Sequence, residues 1–167
     1  MGYVTNSLMT GERIVHLGKV HWFVFVPGVV MFLFYIGLAL LLSAAEPGRQ
    51  PSAVFLFAPV VFVFAIVSLI RALIYKISTE LAVTSKRVIA KVGFISRNTV
   101  ELNHSKVESF RVDQSILGRI VGFGTVVIRG TGGGKTLIRN ISDPLEFRRQ
   151  AVNIVDETSE SVVRVDA

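Results

Sequence analysis

The chain has 167 residues, 51% of them hydrophobic and only 18% charged, with a formal net charge of +6 and no cysteine. An average soluble domain carries about 25% charged residues, so this chain is short of charge. The absence of thiols excludes disulfides, thiolate metal sites and a cysteine nucleophile. A disordered tail, a secreted disulfide scaffold and a plain cytosolic enzyme are excluded by composition, which is that of a membrane protein.

Residues 1–21 form a polar N-terminal segment. Residues 22–45, WFVFVPGVVMFLFYIGLALLLSAA, carry no charge. As a helix they span about 36 Å, enough to cross a hydrocarbon core of about 30 Å with some tilt. Ser43-Ala44-Ala45 imitates a signal cleavage site. However, signal h-regions run to about 7–15 residues, and this run is longer and follows a polar segment. Residues 46–51, beginning Glu46-Pro47-Gly48-Arg49, read as a short external loop, and residues 52–75 as a second transmembrane helix. Both helices are apolar on every face, and the rest of the chain is too small to cover them. Pro27 and Pro59 are tolerated in such helices, and Gly28 and Gly37 allow close helix contact.

Basic residues flank the pair: Arg13 and Lys19 before it, then Arg71, Lys76, Lys86, Arg87 and Lys91 after it, against Arg49 beside Glu46 in the loop. The positive-inside rule places both termini in the cytoplasm, with two helices crossing the membrane. Neither block holds an interior Asp, Glu, Lys, Arg or His, which speaks against a stand-alone transporter.

From residue 77 the pattern becomes strand-like. Leu81 and Val83 alternate with Glu80 and Thr84. Val88, Ala90, Val92 and Phe94 take one face of the next strand, with Arg87, Lys91 and Gly93 on the other. Strands follow over 98–102 and 107–112, and two more, 124–129 and 135–141, flank the glycine loop Gly130–Gly134. Between them Ile116, Leu117, Ile120 and Val121 fall on one side of a short helical turn. Asp143-Pro144 with Glu146 predicts a capping box and a closing helix that buries Phe147, Ala151, Ile154 and Val155. Residues 156–167 read as an acidic flexible tail with net charge −3, against +6 over 77–155.

Site signals are sparse. Gly134-Lys135-Thr136 ends like a phosphate-binding loop, but the first required glycine is Arg129 and a strand follows where a helix should. His16, His21 and His104 show no metal or catalytic spacing, and no paired carboxylates, H-E-x-x-H or nucleophile elbow occurs. No catalytic, cofactor or metal site is therefore assigned. Basic residues are dispersed without aromatic interleaving, so no nucleic-acid partner is assigned either. Arg71, Lys76, Lys86, Arg87, Lys91 and Arg97 are the candidate contacts for anionic lipid. Ile116, Leu117, Ile120 and Val121 are the candidate contacts for a partner or the bilayer, unless they plug the open end of a sheet.

Residues 77–155 resemble the bacterial pleckstrin-homology (PH) domain family in its membrane-anchored form. The likeness rests on Thr84-Ser85-Lys86-Arg87-Val88-Ile89 with Gly93, and on Val107–Val112 followed by Gln114-Ser115. It continues through Gly122-Phe123-Gly124, the strand to Arg129, and Asp143-Pro144 with Phe147. The resemblance implies a PH-like barrel of two antiparallel sheets closed by a C-terminal helix, behind a membrane α-hairpin. That fold has seven strands, of which the pattern reveals six. The first hairpin loop is too short to enclose an inositol polyphosphate, so that site is not carried over. The expected role is a non-enzymatic assembly module at the cytoplasmic face, acting with membrane lipids through homo-oligomerisation or docking to another membrane protein. The alternatives are a sensor of anionic headgroups and an accessory subunit of a transporter or membrane protease.

Overall fold

A computed structural model describes residues 2–45, 54–93 and 98–165 of the chain. Two compact units result: residues 22–76 form one, and residues 1–21 together with 77–167 form the other. The predicted external loop and Arg97 lie outside the described residues.

The first unit is helical. A 3₁₀ turn, Trp22–Phe25, leads into α2 (Val26–Ala45), numbered after a short helix α1 (Tyr3–Asn6) in the other unit; α3 (Val54–Ser78) follows, with Pro59 inside it. Both helices are long and apolar enough to cross a membrane, and most of their side chains are exposed in the isolated chain. Gly28 packs closely on Leu69, where an added Cβ would lie 2.8 Å from Cδ2. Phe32 and Tyr35 pack on Phe62, while Ala65 and Ala72 are buried. A Cβ on Gly37 would meet nothing within 4 Å among the described residues, where Gly28 is the glycine that serves helix contact.

Among the described residues the second unit holds seven antiparallel strands in two sheets. β1 (Ile14–Gly18), β2 (Glu80–Thr84), β3 (Arg87–Val92) and β4 (Asn98–Asn103) form one sheet in that order. β5 (Val107–Asp113), β6 (Phe123–Gly130) and β7 (Lys135–Ser142) form the other. Between β5 and β6 lies α4 (Ile116–Val121), and α5 (Pro144–Val165) ends the chain. The inner faces supply the core: Leu81, Val83, Val88 and Ala90 from one sheet, Val126, Ile128, Ile138 and Ile141 from the other, with Phe147 and Ala151 of α5 fully buried. An isolated bridge pairs Val20 with Ile141 across the two sheets. The His21 N–H donates to the Asn140 carbonyl, and the Ser142 N–H to the Lys19 carbonyl at 2.9 Å.

The seventh strand is therefore β1, in the segment read as a separate N-terminal piece. It pairs with β2, Leu17 against Ala82 and Gly18 against Leu81. Residues 22–76 are an insertion between two neighbouring strands, so the domain begins ahead of the helical hairpin and not at residue 77. IVHLG is only five residues long and lies just ahead of a long apolar run, too short for its period of two to stand out.

Three further expectations change. The face of β3 that carries Arg87 and Lys91 is not an open one: Arg87 and Ile89 are both buried. The outer face is covered by α1, whose Val4 packs on Ala82 and Ile89. The capping box does not form: Asp143 adopts φ 45° and its N–H donates to the Gly122 carbonyl, while Glu146 engages Gln150 and Arg149. Residues 156–165, expected as a flexible tail, continue α5. Helix propagation is favourable once a nucleus exists, and no Gly or Pro interrupts Leu145 to Val165.

Candidate functional site

Within the second unit the candidate cations Arg87 and Lys91 are engaged by carboxylates. Arg87 lies under the N-terminal segment. Its Nε donates to Glu12 Oε1 and an Nη to Oε2, each at 3.1 Å, and its other Nη reaches Glu101 at 2.6 Å. The Glu12 side chain is 0% exposed, and it also takes the Thr84 hydroxyl at 2.6 Å and the Met9 N–H at 2.7 Å. Such a buried charge persists only when paired and hydrogen-bonded. Burial by itself would raise the Glu12 carboxyl; the Met9 N–H, the Thr84 hydroxyl and the Arg87 guanidinium outweigh it and hold it below the ordinary carboxylate range.

Lys91 pairs with Glu80 at 3.1 Å and lies over the Tyr3 ring. Glu80 in turn takes the backbone N–H groups of Tyr3 and Val4 at 2.9 and 3.0 Å, capping α1 from 76 or 77 positions away. Lys86 is exposed and its Nζ donates to the Thr10 carbonyl. Arg71 and Lys76 belong to the helical unit, where Lys76 sits 5.5 Å from the centre of the Phe25 ring. Arg87 and Lys91 are thus already neutralised, a fact invisible to a local reading because their acids lie far off in sequence.

Cations that sequence reasoning passed over line a cavity of about 910 Å³ between the β3–β4 pair and the β6–β7 hairpin. Val92, Val100, Leu102 and Leu137 provide apolar walls, with Lys106 and Lys135 beside them. Neither lysine forms an ion pair among the described residues, and no described carboxylate lines the space. The glycine run closes this hairpin as a turn between strands: Gly133 has φ 75° and its N–H donates to the Gly130 carbonyl.

The three histidines stand apart. His16 packs edge-on against Phe147, and His21 stacks on Phe123 with centroids 5.6 Å apart. His104 is buried, its Nε2 2.9 Å from the Thr84 carbonyl, while Nδ1 has no hydrogen-bond partner. Burial pushes its imidazole down, against the opposing influence of the Thr84 carbonyl and the Glu12 charge. Among the described residues no group of three or more His, Asp or Glu side chains is placed to hold a metal.

The apolar candidates are displayed outward. Ile116, Leu117 and Ile120 are 80%, 59% and 76% exposed, and Val121 is half-buried. Their helix does not plug a sheet. α4 is nevertheless tightly framed: Ser115 Oγ accepts the Gly118 N–H, Gly122 ends the helix in the left-handed region, and Gln114 donates to the Phe123 carbonyl at 3.0 Å.

Two antiparallel sheets with a helix at the C-terminal end are the architecture of a PH-like domain. The profile of the bacterial PH domain family matches residues 15–153, from β1 through α5 and across the hairpin, and the chain belongs to this family. The family is in general non-catalytic. No curated protein and no solved structure gives a match.

Proposed function

We propose that this chain is a membrane-anchored, non-enzymatic assembly module. Its PH domain is presented at the cytoplasmic face for self-association or for docking to another membrane protein. The observation that carries this reading is the position of the helical hairpin, inserted between the paired strands β1 and β2. The pairing requires both flanks of the hairpin to share one compartment, as two crossings demand, and the basic flanks favour the cytoplasm. Anchored at both ends of an insertion, the domain has little freedom to leave the bilayer. Its sheets have β1, β4, β5 and β7 as terminal strands, and an open strand edge is suited to pairing with a neighbour.

Native mass spectrometry of the full chain in mild detergent tests the proposal. One discrete multimer of the 18.3 kDa chain, or a stoichiometric foreign subunit, supports assembly; a bare monomer that carries only anionic lipid overturns it.

A second reading, a sensor of anionic headgroups, is favoured by the cavity beside Lys106 and Lys135 rather than by the cluster around Arg87. Salt-sensitive flotation of the domain without its hairpin, residues 1–21 linked to 77–167, with anionic vesicles, abolished by Lys106→Gln with Lys135→Gln, distinguishes it.

A further inference from the structure

We propose that α4 lies in the membrane interface, with Ile116, Leu117 and Ile120 inserted among the lipid headgroups and the first acyl carbons. This inference rests on the reading of α2 and α3 as membrane spans. It concerns where the domain itself touches lipid, which that reading leaves open.

The argument begins at the end of β1. The apolar run that opens the first span starts at Trp22, so His21 is the last residue of the domain before it. Lys19–His21 is fixed to the end of β7 by the His21-to-Asn140 and Ser142-to-Lys19 hydrogen bonds and by the Val20–Ile141 bridge. β7 in turn pairs with the start of β6, Ile141 against Gly124 and Ser142 against Phe123. With strands about 4.8 Å apart, the first residues of β6 lie about 10 Å from the chain at its point of departure. The Phe123 ring closes that gap by stacking on His21. α4 is joined to Phe123 through Gly122 alone, whose carbonyl accepts the Asp143 N–H. The exposed isoleucines are therefore held at the same end of the domain as the residue from which the first span departs.

The chemistry of the patch agrees with a lipid occupant. Three large aliphatic side chains project from one short helix, and residues 114–124 contain no Asp or Glu. Arg119, the single charge in that stretch, is exposed and long enough to reach lipid phosphates while its stem stays with the isoleucines. Amphipathic interfacial segments of this kind sit about 5–10 Å into the headgroup and acyl boundary.

Because the chain lacks cysteine, single thiols report position without background. Ile116→Cys and Ile120→Cys, with Leu33→Cys in the first span and Gly132→Cys in the β6–β7 loop as references, would each be made in the full chain. Each would carry an environment-sensitive fluorophore in vesicles of phosphatidylcholine and phosphatidylglycerol. Gly132 has open space around it and lies along β6, about 25 Å from α4 at ordinary strand rise. The expected result is blue-shifted emission at 116 and 120, with most of the intensity lost to lipids brominated near the headgroup. Probes at 33 respond to mid-chain bromines and those at 132 to neither.

If 33 is quenched while 116 and 120 behave as 132 does, the spans stand and the interfacial placement of α4 is overturned. If 33 is not quenched by any lipid, the span reading fails and the inference with it. Blue-shifted probes at 116 and 120 that ignore both brominated lipids would mean a protein cover, such as a second copy, and would equally overturn the proposal.

Discussion

Arg87 joins two carboxylates drawn from distant parts of the chain, Glu12 at a separation of 75 positions and Glu101 at 14. Replacing it with Met leaves Glu12 buried and without its guanidinium. Breaking one partner out of a buried pair costs about 3–5 kcal/mol, so the thermal midpoint of the detergent-solubilised Arg87→Met chain should fall steeply. A midpoint within a degree or so of the parent would show that Glu12 is solvated after all. Three groups packed within the domain also bind protons more weakly in the folded state. For Glu80, as for Glu12, burial is outweighed by hydrogen bonds, here from Val4, Tyr3 and Lys91; His104 is lowered by burial. Their contributions are whole above the unfolded values and lost as pH falls through the depressed folded ones. Stability should decline first below the ordinary histidine value of 6.5, then further below the ordinary glutamate value of 4.5. Melting curves between about pH 8 and pH 4 test this, and Glu12→Gln should weaken the lower step. The cations of this network were legible in the sequence. Their acids were not, because nothing local says that Glu12 folds back over β3.

α1 is four residues long and its N-cap, Gly2, offers no side chain. Alone it would not persist, since a single helical turn cannot recover its nucleation cost. The Glu80 carboxylate and the contact of Val4 with Ala82 and Ile89 hold it. α4 depends on close backbone approach instead: a Cβ on Gly118 would lie 2.5 Å from the Phe123 carbonyl oxygen. Gly118→Val should therefore cost about 1–3 kcal/mol in chemical or thermal unfolding. Gly132→Ala, in open space, should change stability by no more than about 0.5 kcal/mol. Equal effects at the two glycines would refute the close approach at Gly118. At this scale the sequence was informative wherever alternation met a turn signal. The Ser85-Lys86 turn between β2 and β3 and the glycine loop between β6 and β7 both fall where those residues indicated. For β3 the strand and its inner face, Val88 and Ala90, were legible but the burial of the opposite face was not, and β1 was missed, a five-residue strand set just ahead of a long apolar run.

In the whole molecule the helical hairpin occupies the place of a strand connection. Gly18 and Leu81 face each other, close enough that a Cβ on Gly18 would lie 3.0 Å from the Leu81 side chain. Residues 1–21 joined to 77–167 by a Gly/Ser linker of about eight residues should fold into a soluble domain. Residues 77–167 alone should not, because Leu81, Ala82 and Val83 would lose β1 and the cover of α1. Dispersed amide signals from the joined chain and collapsed ones from the shorter piece are the expected spectra. Equally dispersed spectra would show that β1 is dispensable. The order of motifs from Thr84 to Phe147 was enough to indicate the family. The interruption was hidden, because two halves of one domain on either side of a long apolar block look like a tail and a domain.

An interrupted domain also constrains the order of events at the ribosome. β1 is synthesised first and has no partner until some sixty residues later, when β2 emerges behind both hydrophobic helices. If the helices cross a bilayer, β1 and β2 meet only when the pair has crossed an even number of times. A chain inserted with one helix left behind strands β1 on the wrong side, with Arg13 and Glu12 cut off from Ser85 and Arg87. Completion of the fold would then report correct topology, since a misinserted chain would leave the apolar inner face of an unfinished sheet exposed.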